Sequence, residues 1–108
     1  MVYMKAEIGV RPGMVPAMLD LLTSRIFPIL EGKGGWQMCG CFLQRTGRLN
    51  TIVDLWKLED YGHFERAYAI FREDPDYPEI RLLLDQYVES ETLVFMDHQY
   101  GFISGDTH

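Results

Sequence analysis

An aspartate set in an apolar run, Ile52-Val53-Asp54-Leu55-Trp56, is the residue whose type and surroundings point most directly to chemistry. The stretch from Asn50 to Leu58 is β-branched and aromatic and reads as a strand. A carboxylate there is costly to bury without a partner. Desolvation beside Ile52 and Trp56 raises its pKa toward neutrality, the setting a general acid or base needs. The plainer reading is an ion pair between Asp54 and an Arg or Lys at an interface between two copies of the chain. By strand alternation Asn50, Ile52 and Trp56 share the face of Asp54. Asn50 reads first as a hairpin residue and Trp56 as core, and both become ligand contacts if that face opens on a cavity.

Other polar candidates fall on the first strand, where Val2, Met4, Ala6, Ile8 and Val10 alternate with Tyr3, Lys5, Glu7 and Gly9. The apolar set is expected to meet the helices. That leaves Tyr3, Lys5 and Glu7 toward a cavity or a partner chain, with Lys5 placed to neutralise a carboxylate such as Asp54, or simply to form a cross-strand ion pair. Trp36, Met38 and Phe42 on the second strand are candidates for a cavity wall, and equally for ordinary packing. His63 falls in the first turn of a helix and His98 follows the last strand; both read as solvent-facing. No two histidines share a metal-ligand spacing, so no metal site is expected. Neither a nucleophile elbow nor a phosphate-cradling glycine loop occurs, and no ATP, NAD or other cofactor is expected.

Cys39 and Cys41 are one residue apart. On a regular strand they share a face about 7 Å apart, a geometry that makes a mutual disulfide awkward and favours two packed thiols.

These groups must be positioned by a small fold, since the chain has 108 residues, 47% of them hydrophobic, enough for one core and no second. Residues 1–100 are expected to form that domain, and residues 101–108 a polar, mobile tail. A domain of this size leaves apolar surface that a second copy often covers, so a homodimer, or a higher assembly, is the expected partner state. The formal net charge of -6 repels phosphate backbones and anionic headgroups, which argues against nucleic acid and membrane partners. With no charged leader and no apolar run of spanning length, a soluble, cytoplasmic protein is expected.

Periodicity predicts the elements. Residues 2–10 form a strand closed by Arg11-Pro12-Gly13, and Val15, Met18, Leu19, Leu22, Ile26 and Ile29 form a helical stripe, with Pro28 disturbing its last turn. Gly32-Lys33-Gly34-Gly35 turns the chain into a strand over 36–45, whose hairpin partner is 50–58. Asp60 caps a helix carrying Phe64, Ala67, Tyr68 and Phe71 inward, closed by Glu73-Asp74-Pro75-Asp76. A short helix follows Pro78, and Thr92 to Met96 is the last strand. The order is β-α-β-β-α-β, an α+β, ferredoxin-like antiparallel sheet with helices on one face.

Gly47-Arg48-Leu49-Asn50, then Val53, Leu55-Trp56 and Asp60, then Arg66, Arg72, Asp74-Pro75 and Tyr77 together resemble the signature half of the NIPSNAP family. Arg11-Pro12-Gly13 is similar to that family's K-P-G, so the resemblance spans about residues 3–96. It implies a sheet that pairs with that of a second copy as a dimeric α/β barrel around a cavity. The wider class holds cofactor-independent monooxygenases, haem-degrading enzymes, polyketide cyclases and proteins without known activity. Two departures imply an altered site. Met4, Ala6 and Ile8 stand where members carry an acidic residue, an Arg and a Tyr, and Asp54 stands where many have His before L-W. The expected function is binding of a small hydrophobic or aromatic molecule, with Asp54 as acid/base and Trp56 as platform. Two alternatives are a haem-binding protein using His63 or His98 and a non-enzymatic scaffold in which Trp36, Met38 and Trp56 pack without a void.

Overall fold

The alternation of the first ten residues builds β1 (Val2–Val10), the strand on which the rest of the sheet is assembled. The computed structural model describes residues 1–101, and residues 102–108 of the expected tail lie outside the described residues. After β1 come α1 (Val15–Leu21), a π-helical turn (Leu22–Ile26), α2 (Phe27–Glu31), β2 (Gln37–Leu43), β3 (Thr51–Leu58), α3 (Tyr61–Glu73), α4 (Tyr77–Tyr87) and β4 (Val88–Met96). The four strands form one antiparallel sheet in the order β2-β3-β1-β4, the expected β-α-β-β-α-β arrangement with each helical layer in two pieces.

Pro28 explains the break in the first layer. It has no N–H to give the carbonyl four residues back, and its ring crowds that carbonyl. The helix absorbs this one turn early: Phe27 N–H bonds the carbonyl of Leu22, five residues behind, and the coil widens into a π turn. The disturbance therefore falls in the middle of the stripe, and the helix continues to Glu31 beyond it. Leu22, Ile26 and Phe27 are all buried along this stretch.

The second layer starts at Asp60, whose carboxylate accepts from His63 N–H at 2.8 Å, the expected N-cap. Ala67 and Phe71 of α3 and Ile80 of α4 are buried against the sheet. Arg25, within the π turn, bonds Glu79 of α4 at 2.7 Å, but this pair is exposed and adds at most about 1 kcal/mol. Burial of side chains such as Ile52, Leu58 and Ile80, each worth roughly 1.5–3 kcal/mol, carries the packing.

β4 differs from expectation. It starts at Val88, directly after α4 with no turn between them, four residues earlier than the sequence pattern indicates. The run Val88-Glu89-Ser90-Glu91 is too polar to register as a strand by periodicity, and its hydrogen bonding to β1 fixes it instead.

Candidate functional site

Register decides which side chains meet. Ala6 of β1 lies opposite Asp54 of β3, and Met4 lies opposite Trp56, so Asp54 and Trp56 share the face of Met4, Ala6 and Ile8. This face is covered by the helices. Between the two layers lies a cavity of about 440 Å³, whose floor includes Met4, Ala6, Asp54 and Trp56. Phe27, Trp36, Phe64, Tyr68 and Phe71 form an aromatic wall, and Arg81, Asp85, Glu89 and Glu91 stand on exposed positions toward its mouth.

The aromatic wall is held by specific contacts. Trp36 donates its indole N–H to the His63 carbonyl at 3.2 Å, stacks on Phe64 at 5.6 Å, and meets Trp56 edge-on at 5.3 Å. Phe27 meets the other side of Trp56 at 5.2 Å. These edge and offset geometries suit ring quadrupoles and fix Trp56, which is 1% exposed, without closing the void beside it.

Asp54 is 3% exposed, and its Oδ1 has no hydrogen-bond partner among the described residues. Burial raises its pKa; the Cys41 thiol, which donates to the carboxylate, lowers it in part; the charge of Glu91 adds to the rise. The net result is about 6. Glu91, opposite Ile8 on β4, is also held above the ordinary glutamate range by desolvation, offset in part by Arg81. Tyr68 is raised in the same sense, first by burial and then by Glu91. The cavity thus joins two carboxyl groups poised toward the neutral form to a phenol kept protonated. Asp54, at about 6, can take and return a proton near neutral pH.

Several expected site residues lie elsewhere. Tyr3, Lys5 and Glu7 are on the outer face of the sheet, away from the cavity. Lys5 sits opposite Leu55 and pairs with Glu7 at 3.8 Å, so the sheet itself separates Lys5 from Asp54. Nor does Asp54 face an interface on that outer side. Asn50 is in the hairpin with φ of 57°, a left-handed conformation that asparagine tolerates better than most residues, and its carbonyl accepts from Val10 N–H at 2.8 Å. It is a turn residue and is not among those lining the cavity.

A β-bulge corrects the reading of β2. Met38 lies opposite Trp56 and Cys41 opposite Asp54, so three residues of β2 span two of β3, and the alternation inverts around Cys39. Cys41 therefore turns inward beside Asp54 while Phe42, 59% exposed, turns outward; Cys39 and Cys41 do not share a face. Met38 packs on the core at its edge but does not line the cavity. Of the three wall candidates on this strand, only Trp36 lines it.

One histidine, His63, is also placed differently, while His98 is exposed as expected. His63 is buried, its Nε2 lies 2.7 Å from the Gly34 carbonyl, and its Nδ1 accepts from Glu59 N–H at 3.1 Å. Nδ1 as acceptor leaves Nε2–H as the donor, so the ring is a strut between α3 and the glycine corner rather than a solvent-facing residue. His98 is exposed and lies 5.7 Å from the Tyr3 ring, on the outer side.

Residues 9–96 match the NIPSNAP family model. The chain belongs to the NIPSNAP family. Among solved structures it is similar to an uncharacterized NIPSNAP domain protein from Burkholderia xenovorans, with TM-score 0.79, 23% identity, and 92% of this chain and 95% of that one covered. A NIPSNAP family protein from Agrobacterium tumefaciens superposes with TM-score 0.81 at 16% identity, covering 91% and 92%. A putative antibiotic biosynthesis monooxygenase from Nitrosomonas europaea follows at TM-score 0.65 and 13% identity, covering 93% and 100%. No curated protein matches. At these identities the structural likeness is one of fold. Within this NIPSNAP chain, the alternation and bulge described above decide which residues reach the cavity.

Several lining residues, Glu91 and Arg81 among them, have no counterpart among the sequence candidates. Glu91 belongs to the polar start of β4, and Arg81 to the outer part of the α4 stripe. Their shared signal is position, since α4 runs into β4 without a loop and brings both to the cavity mouth.

Proposed function

We propose that this NIPSNAP protein binds a small hydrophobic or aromatic molecule in the cavity between its sheet and helices, with Asp54 acting there as a cofactor-independent acid/base. The observation that carries this reading is the buried, unpartnered Oδ1 of Asp54 on the floor of an aromatic cavity of about 440 Å³. Few proteins leave a buried carboxylate oxygen unsatisfied without a functional reason. The volume is within the range of small-molecule sites.

The alternatives fit less well. A scaffold role called for Trp36, Met38 and Trp56 packed with no void, but the two tryptophans meet edge-on and leave the cavity open. A haem-binding role called for His63 or His98, and neither is among the cavity-lining residues. The distant likeness to a putative antibiotic biosynthesis monooxygenase is compatible with oxygenase or cyclase chemistry on an electron-rich ring. In such a reaction Asp54 would remove the proton whose loss activates the ring.

The sheet's outer face supports a second part of the proposal, a homodimer assembled sheet to sheet. Phe42 on β2 and Val94 on β4 are exposed there, flanking the strands that carry Leu55 and the Lys5–Glu7 pair. Native mass spectrometry tests both parts. A dimer carrying a small-molecule adduct that Asp54→Asn loses or weakens is the expected result. A protein that is monomeric and takes up no apolar probe would refute the proposal.

A further inference from the structure

We infer that the cavity selects organic cations: a protonated amine or amidine on an aromatic or apolar body, with the cationic N–H donating to Asp54 Oδ1. This rests on the small-molecule reading above and narrows it to a chemical class.

A carboxylate oxygen only accepts, so what Asp54 lacks is a donor. Among the described residues, the protein's own cations do not supply one. Lys5 is behind the sheet beside Glu7, and Arg25 is bound to Glu79 outside the cavity. The two guanidinium groups on the lining, Arg11 and Arg81, occupy exposed positions, and Arg81 is bonded to Asp85 at 3.2 Å. Cys41 supplies one weak thiol donor, and Oδ1 remains open.

Charge and ring placement agree with this vacancy. The lining carries four acidic side chains, Asp54, Asp85, Glu89 and Glu91, against two basic ones, Arg11 and Arg81, and each of the acids that is ionised adds to a field that concentrates cations and repels anions. Trp56 adjoins Asp54 on the floor and Trp36 and Phe64 stand beside it; indole and phenyl faces attract a desolvated cation. A charge-assisted bond to a buried carboxylate is about twice as strong as a neutral one. An alcohol gains only the weaker bond, and a carboxylic acid meets like charge.

The test compares isosteres. Phenethylamine, tryptamine and benzamidine are titrated beside 2-phenylethanol and 3-phenylpropionate by calorimetry and by tryptophan fluorescence, in the wild-type chain and in folded Asp54→Asn. Nile red serves as a neutral probe of the cavity. At least one cation is expected to bind about tenfold or more tighter than its neutral isostere, and Asp54→Asn, its fold verified by circular dichroism, is expected to remove that preference. If alcohol and amine bind alike, if no cation binds while Nile red does, or if the preference survives in Asp54→Asn, the cation inference is overturned and the small-molecule reading stands. Where Nile red and every panel member fail to bind, both fall.

Discussion

Cys41 and Asp54 face each other across the β2–β3 ladder, and the Cys41 thiol donates to the Asp54 carboxylate. Each controls the other. The thiol draws the carboxyl down against the effect of burial, while burial first, then the charge of Asp54 and the hydrogen bond to it, push the thiol up to about 12.

The thiolate is the reactive form of cysteine, and a thiol near 12 is ionised to roughly one part in ten thousand at pH 8. In a Cys39→Ser background, Cys41 is expected to react with iodoacetamide at pH 8 at least about 100-fold more slowly than an open-chain thiol. Asp54→Asn should raise that rate by removing the charge. Alkylation at the open-chain rate, read by intact mass, would refute the pairing.

Asp54 also makes stability depend on pH. Its folded-state value of about 6 lies above the unfolded value, so the folded chain holds this proton more tightly. The stability it lends is complete below about pH 4 and is lost as pH rises through 6. The shift corresponds to roughly 2–3 kcal/mol across that window. Glu91, facing it from β4, acts in the same sense, and Tyr68 and Cys41, both raised, change only at alkaline pH; Arg81 also lines this cavity. Asp54→Asn is therefore expected to be more stable than the wild type at pH 7.5 and to lose that advantage by pH 4. Parallel urea melts at the two pH values decide it, and equal differences at both would sink the claim.

The same residue shows what could be read from sequence. An ionisable group in Ile52-Val53-Asp54-Leu55-Trp56 stands out because the apolar run around it is a local signal, and period-two alternation correctly groups it with Trp56. Strand and helix order were legible for the same reason, with stripes at Met18, Leu22 and Ile26 and at Phe64, Ala67 and Phe71 matching buried positions. What the cavity faces was not legible. Placing Lys5 near Asp54 required knowing which residues of β1 and β3 are opposite each other, and that register comes from pairing across strands.

Bulges are the second blind spot. Nothing in Met38-Cys39-Gly40-Cys41-Phe42 departs from a regular strand, yet the extra residue sends Cys41 inward and Phe42 outward. Gly40 is the one trace of it, since a Cβ there would collide with the Phe42 ring folded over it. His63 was misplaced for another reason. Its role depends on Gly34, 29 residues away, a contact without local periodicity.

His63 gives a prediction that separates structure from site. It links α3 to the glycine corner through two ring hydrogen bonds, and Gly35, beside the ring, has a φ of 76° that other residues adopt only with strain. His63→Ala leaves the Gly34 carbonyl and Glu59 N–H without this partner, at a cost of roughly 2–4 kcal/mol for two partly buried groups and the space left behind. The melting temperature is expected to fall by several degrees or more, with Nile red affinity below the transition changed less than about threefold. A variant that keeps its melting temperature would show that the strut bears no load.

The outer sheet face supplies the last test. Phe42 is 59% exposed and Val94 39% exposed, on the two edge strands that flank Leu55 of β3 and Lys5 of β1 on the same outer face. If two sheets pack face to face, Phe42 lies within the buried contact, and a carboxylate in its place must be desolvated there without a designated partner. Phe42→Glu is expected to weaken the dimer at least about 100-fold, since an unpaired charge in a contact costs several kcal/mol. Light scattering across a dilution series reads the subunit mass directly. Because Phe42 points away from Asp54, the variant monomer should keep the fold and the cavity, so Nile red uptake by that monomer distinguishes a lost interface from a lost structure. A Phe42→Glu protein that stays dimeric at micromolar concentration would place the contact elsewhere on the surface.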